Sequence, residues 1–112
     1  MGPMLSMAIT AVVGIILCVF GAINMTGNIS SLHSYHRSRV REEDKKIFGR
    51  FVGIGNILIG ISIMAFGVLT YIYERTTVDA YVIAGTVIMC AGIVIGLGIS
   101  FFAMIKYNKG IF

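Results

Sequence analysis

Polar and apolar residues are segregated along this chain. Charged side chains fall in three groups: from Arg37 to Arg50, at Glu74, Arg75 and Asp79, and at Lys106 and Lys109. Three uncharged stretches lie before and between them, roughly 4–25, 51–73 and 80–105. A helix needs about 20 apolar residues to cross about 30 Å of hydrocarbon, so all three are long enough. Backbone in lipid must satisfy its own hydrogen bonds, which predicts helix in each. Periodicity does not separate helix from buried strand in such runs, but length does.

The pattern therefore predicts an all-α protein, an integral membrane bundle of three transmembrane helices. It forms a single membrane domain over 1–112. Helix 1 covers about 4–25, a basic cytoplasmic loop 26–50, helix 2 about 51–73, a hairpin 74–79, helix 3 about 80–105 and a tail 106–112. Acidic Glu42, Glu43 and Asp44 precede Lys45 and Lys46, the favourable order for a helix start. Helix 2 is therefore expected to begin near residue 42, project from the membrane and carry a Glu42–Lys46 ion pair. Ile29, Leu32, Tyr35 and His36 fall near helical spacing, which predicts a short interfacial helix in the loop.

Composition agrees. Hydrophobic residues make up 57% of the 112 residues and charged residues 12%, about half the usual charge of a soluble domain. A disordered segment, a disulfide-stapled secreted domain and an ordinary soluble enzyme are excluded. The first segment lacks a basic start and outruns the usual signal-peptide core of about 7–15 residues, so it reads as a span. Met1 and Met4 are both candidate starts.

The net charge of +4 resolves by topology. The 26–50 loop holds six basic and three acidic residues, the hairpin one basic and two acidic, and the tail two basic. Basic residues favour the cytoplasmic side, which predicts N-out and C-in in a bacterial cytoplasmic membrane. Membrane lipids are the expected partners, with Arg37, Arg39 and Arg41 facing anionic headgroups. Nucleic acid is not expected, because topology already accounts for the basic excess.

Small residues recur at helical spacing. Ala11, Gly14, Cys18 and Gly21 line helix 1. Gly53, Asn56, Gly60 and Gly67 line helix 2. Gly85 and Gly92 are seven apart in helix 3, and Gly92, Gly96 and Ser100 form a small-xxx-small ladder. Such seams let helix backbones approach closely in lipid. Three seams exceed what one small bundle is expected to hide, which predicts a homo-oligomer, with a larger membrane complex as the other candidate partner.

Candidate chemistry is sparse. Asn56, Ser62, Thr70, Thr86 and Ser100 are the polar groups available for a pore lining or inter-helix contact. His33 and His36 form an HxxH pair, a candidate metal or pH site; the competing reading is two solvated histidines. Cys18 and Cys90 sit in apolar spans as small hydrophobes. No charged residue or histidine lies inside a span, which speaks against proton-coupled transport. No cofactor-binding motif, serine elbow or HExxH is present, so no cofactor and no catalysis are expected. The predicted role is that of a passive pore, a transport component or an accessory subunit. The alternatives are a sensor, immunity or holin-like factor, and an interfacial lipid- or metal-binding protein or enzyme using 33–44.

The run Leu32-His33-Ser34-Tyr35-His36, followed by Val40-Arg41-Glu42-Glu43-Asp44-Lys45, resembles a group of small bacterial membrane proteins without an assigned role. The resemblance spans roughly 28–62. It implies a bacterial source and two or three hydrophobic helices around such a loop, and it carries no activity or site residues.

Overall fold

The computed structural model of the chain describes residues 2–29 and 40–109. Three helices make up nearly all of it: α1, Pro3–Met25; α2, Lys45–Thr76; and α3, Asp79–Tyr107. A 3₁₀ turn, Glu42–Asp44, leads into α2. All three helices are long and apolar enough to cross a membrane, and no strand occurs among the described residues. The architecture is a membrane-type three-helix bundle.

The predicted helix boundaries need correction, most clearly at the hairpin. The hairpin is not six residues long: Thr77 and Val78 alone separate α2 from α3. Thr77 turns the chain from a left-handed conformation (φ 57°, ψ 19°), and its N–H donates to the Tyr73 carbonyl. Thr76 Oγ1 accepts the Val78 N–H at 3.3 Å while donating to the Ile72 carbonyl at 2.8 Å. Side chains and backbone at this tip thus satisfy groups that the helix end leaves open. Charge at 74–79 marked the end of the apolar run, but helical hydrogen bonding continues past it.

α2 holds 32 residues, about 48 Å at 1.5 Å per residue, nearly the 51 Å long axis of the molecule. That exceeds the hydrocarbon thickness of about 30 Å. The surplus lies largely at its start, where Lys45, Lys46 and Arg50 project from the loop end.

The two outer helices pack on α2 and scarcely meet each other. Helix geometry explains this. Gly53, Gly60 and Gly67 of α2 face α1, whereas Gly55, Ser62 and Leu69 face α3. The second set is offset by two residues, about 200° around the helix at about 100° per residue. α2 therefore presents nearly opposite faces to its two neighbours, and the bundle is a row with α2 in the middle.

The best-buried hydrophobic side chains gather at the loop end, where helix ends and loop converge. Ile29, Val40, Phe48, Val52, Ala103 and Met104 form this core. Asn24 and Asn108 are also fully buried there, so Asn24 closes the loop end of α1 from within the fold. Phe51 adds an edge contact to Phe102 (centroids 5.7 Å apart) and a stack on Tyr107 (6.2 Å).

Candidate functional site

The small residues meet in reciprocal pairs. A Cβ built on Gly60 would stand 2.7 Å from the Gly14 carbonyl oxygen. A Cβ on Gly21 would stand 2.7 Å from the Gly53 oxygen, and Gly53 is in turn closed by the Gly21 oxygen. On the other face, Gly55 and Gly96 each place a Cβ 2.6 Å from the other's carbonyl oxygen. Gly67 is closed by Thr10, Gly92 by Ser62, and Gly85 packs on Leu69 and Phe66. Lipid gives apolar helices no hydrophobic reason to associate, so close packing must supply the attraction. Glycine pairs at this separation also permit Cα–H···O contacts, worth about 0.5–1 kcal/mol each.

All eight glycines singled out from the sequence thus lie in seams within one chain. The expectation of a homo-oligomer rested on having more seams than a single bundle could close. The row arrangement removes that premise, because α2 serves two neighbours at once. Sequence reasoning missed Gly55, whose signal was present: Gly55 and Ser62 are seven apart and define a second stripe on the same helix.

The polar residues considered for a pore do not converge. Ser62 donates to the Leu58 carbonyl at 2.7 Å and is buried in the α2–α3 seam. Ser100 is buried in the same seam two to three turns away, beside Gly55. Thr70 donates to Phe66 at 2.8 Å and Thr86 to Val82 at 2.8 Å, each within its own helix. Thr10 does the same towards Met7, at 2.9 Å. A hydroxyl bonded to its own helix is how a polar side chain tolerates hydrocarbon. Asn56 differs. It is half-buried on the flank of the α1-facing stripe and makes no side-chain hydrogen bond to any described residue.

Cys18 is half-buried and its thiol approaches the Ile57 carbonyl at 3.9 Å; Cys90 is exposed on α3. His33, His36, Arg37 and Arg39 lie outside the described residues, as does the predicted interfacial helix except for Ile29 at its start. Among the described residues, no three His, Cys, Asp or Glu side chains gather as a metal site.

At the loop end, the charges pair differently from the expected pattern. Glu42 accepts from Lys45 at 2.6 Å, not from Lys46. The cause is the 3₁₀ turn over 42–44, whose three-residue period aligns i with i+3 instead of i+4. Arg41 is engaged by Glu43. Lys46 and Arg50 make no ion pair with any described residue, and with Glu43 and Ile47 they line an open groove. At the far end, Arg75 lies over the Tyr71 ring, 5.9 Å from its centroid. On α3, Lys106 lies 5.5 Å from the Tyr107 centroid.

Set beside known proteins, the chain matches no family model, no curated protein and no solved structure.

Proposed function

We propose that this chain is a non-enzymatic accessory subunit of a bacterial cytoplasmic membrane. In this reading it works as one closed three-helix unit that associates with lipids and with other membrane components. The observation that carries it is the fate of the polar groups in the spans. Ser62, Thr70 and Thr86 bond within their own helices, and the glycine seams close within the chain. Neither leaves a polar path along a single chain. A transport component would need such a path, or a charged group at depth.

The proposed orientation is N-out and C-in. Its support is charge asymmetry: Arg41, Lys45, Lys46, Arg50, Lys106 and Lys109 share the loop end of the row, whereas Glu74, Arg75 and Asp79 mark the opposite end. Paired reporter fusions at residue 77 and at the carboxyl end test it. Phosphatase activity at 77 and fluorescence at the carboxyl end are expected; the reverse pattern overturns it.

Ion and solute efflux from liposomes carrying the purified chain tests the accessory reading. Efflux at the level of empty liposomes is expected. Efflux that Asn56→Leu abolishes would replace this reading with a pore built from several copies. That second reading is favoured by Asn56 itself, an amide with both donor and acceptor that can pair with its own copy across an axis. Pairing of this kind is worth about 0.6–2 kcal/mol in membranes. A homo-oligomer joined there, instead of through the glycines, is its structural form.

A further inference from the structure

The loop end of α2 holds two cations whose charge the described part of the chain does not balance. Of the four basic residues between 40 and 50, Arg41 is engaged by Glu43 and Lys45 by Glu42. Asp44, the remaining acid, stands at the helix N-terminus, where the helix dipole favours a negative charge. Lys46 and Arg50 are left exposed one turn apart. Two like charges at that spacing repel. They also sit where α2 enters the apolar run starting at Phe51, so the local dielectric falls and repulsion strengthens. An anion between them removes the conflict.

The groove at these residues has the size and lining for such an anion. It is bounded by Glu43, Lys46, Ile47 and Arg50, with a volume near 340 Å³, at the lower end of the range for small-ligand sites of about 300–1,000 Å³. Its one acid, Glu43, is engaged by Arg41 on the outer side. Arginine matches a phosphate with paired donors and lysine adds a point charge.

What lies below the groove identifies the source of the phosphate. Ile47, Ile54 and Ile61 are exposed by 42%, 37% and 52%. They are seven residues apart, so they follow one another down the same side of α2 as Arg50. Ile54 lies about 6 Å and Ile61 about 16 Å below Arg50 along the helix axis. One leaflet is about 15 Å deep. The exposed stripe therefore has the length of one acyl chain hanging from the groove. We propose that Lys46 and Arg50 hold the phosphate of an anionic phospholipid whose acyl chain lies along Ile47, Ile54 and Ile61. The site rests on the membrane spans and does not depend on the accessory role proposed above.

The test uses the full chain in nanodiscs of phosphatidylcholine with a minor share of phosphatidylglycerol. Spin-labelled phosphatidylglycerol and phosphatidylcholine report the relative affinity of the lipids next to the protein. The native chain is expected to prefer phosphatidylglycerol, and Lys46→Gln/Arg50→Gln to weaken that preference by about thirtyfold, the effect of two interfacial cations. Lys106→Gln/Lys109→Gln, which removes as much charge from the same end of the row but from residues outside the groove, is expected to change it less than about threefold. Thermal unfolding in pure phosphatidylcholine checks that both variants fold. Equal losses in the two variants, or a preference that survives Lys46→Gln/Arg50→Gln, overturn the site. Glycerol phosphate at millimolar concentration, which offers the head without tails, is expected not to displace the labelled lipid. Full displacement overturns the acyl stripe and makes this a site for a free phosphate.

Discussion

Gly60→Ala isolates the packing argument in one methyl group. The new Cβ would lie 2.7 Å from the Gly14 carbonyl oxygen, 2.9 Å from the Cys18 sulfur and 3.2 Å from the Leu17 Cβ. The Cys18 side chain can rotate, but the Gly14 oxygen belongs to helix backbone and cannot move alone. Reaching ordinary contact near 3.4 Å needs α1 and α2 to separate locally by about 0.7 Å. A gap of that size forfeits roughly a quarter to a half of each facing dispersion contact. Overpacking costs about 1–3 kcal/mol in general, and a value near 2 kcal/mol is expected here. Gly98→Ala is the control. No atom stands within 4 Å of its Cβ, and the change is expected to be neutral or stabilising by up to about 1 kcal/mol, the helix-propensity gain of alanine over glycine. Reversible unfolding followed by circular dichroism in mild detergent measures both. Gly14→Ala forces open the same gap, so the Gly14→Ala/Gly60→Ala double variant should lose less than the sum of the single losses. The loss should also be independent of protein concentration over a tenfold range, because the seam lies inside one chain. A Gly60→Ala stability indistinguishable from that of Gly98→Ala would refute the seam. A loss that grows on dilution would place the seam between copies.

Other sites give sharper or opposite signs. Thr77 is β-branched at φ 57°, a conformation costing roughly 1–2 kcal/mol for L residues, so Thr77→Gly should raise the melting temperature; a fall would show that the turn is not strained. Phe51→Ala removes both aromatic contacts at the loop end and should cost about 2–4 kcal/mol, read by the same unfolding assay, whereas Phe51→Leu should recover at least half of that. Ser62→Ala deletes a hydrogen bond that stays within its own helix, and the expected change is below about 1 kcal/mol; a larger loss would mean that the hydroxyl binds α2 to α3.

The three spans were legible because lipid imposes one coarse rule, about 20 apolar residues per crossing, and charge marks where each crossing stops. Helix ends were less legible. Glu74, Arg75 and Thr76 belong to α2 although they lie past the apolar run, since hydrogen bonding, not hydropathy, ends a helix. The seam residues were readable from spacing, but their partners were not. Gly60 facing Gly14 and Gly96 facing Gly55 follow from how the row is assembled, which no single segment encodes. The same limit produced the Glu42–Lys46 expectation. Spacing at i, i+4 holds for α-helix, and the local switch to a 3₁₀ turn moved the partner to Lys45. Lys46 stood out as a site only once that pairing was known, and Arg50 only once Ile54 and Ile61 were seen exposed below it.

A helix with two seams on opposite faces constrains what its neighbours can do. α2 has its small residues turned towards α1 and α3, so the outer helices, together with the exposed Ile47, Ile54 and Ile61 stripe of α2, carry the outward surface of the row. On α1 that surface includes Leu5, Val12, Ile16 and Val19; on α3 it includes Ile83, Val87, Val94 and Ile105, each more than 45% exposed, and the smaller Ala84, Ala91 and Gly98. Bulky aliphatic side chains are no better solvated by one another than by lipid tails, so the aliphatic part of this surface gives little reason for helices to associate. A partner docking within the membrane has two places on this chain that admit close or polar contact, the small residues Ala84, Ala91 and Gly98 on α3 and the amide of Asn56. Selectivity otherwise has to come from the loop end, where charge, aromatic rings and the best-packed part of the core coincide. The scarcity of charge in the spans and its concentration at one end are thus two sides of one design: the helices hold the row together, and the end of α2 is where it can tell one neighbour from another.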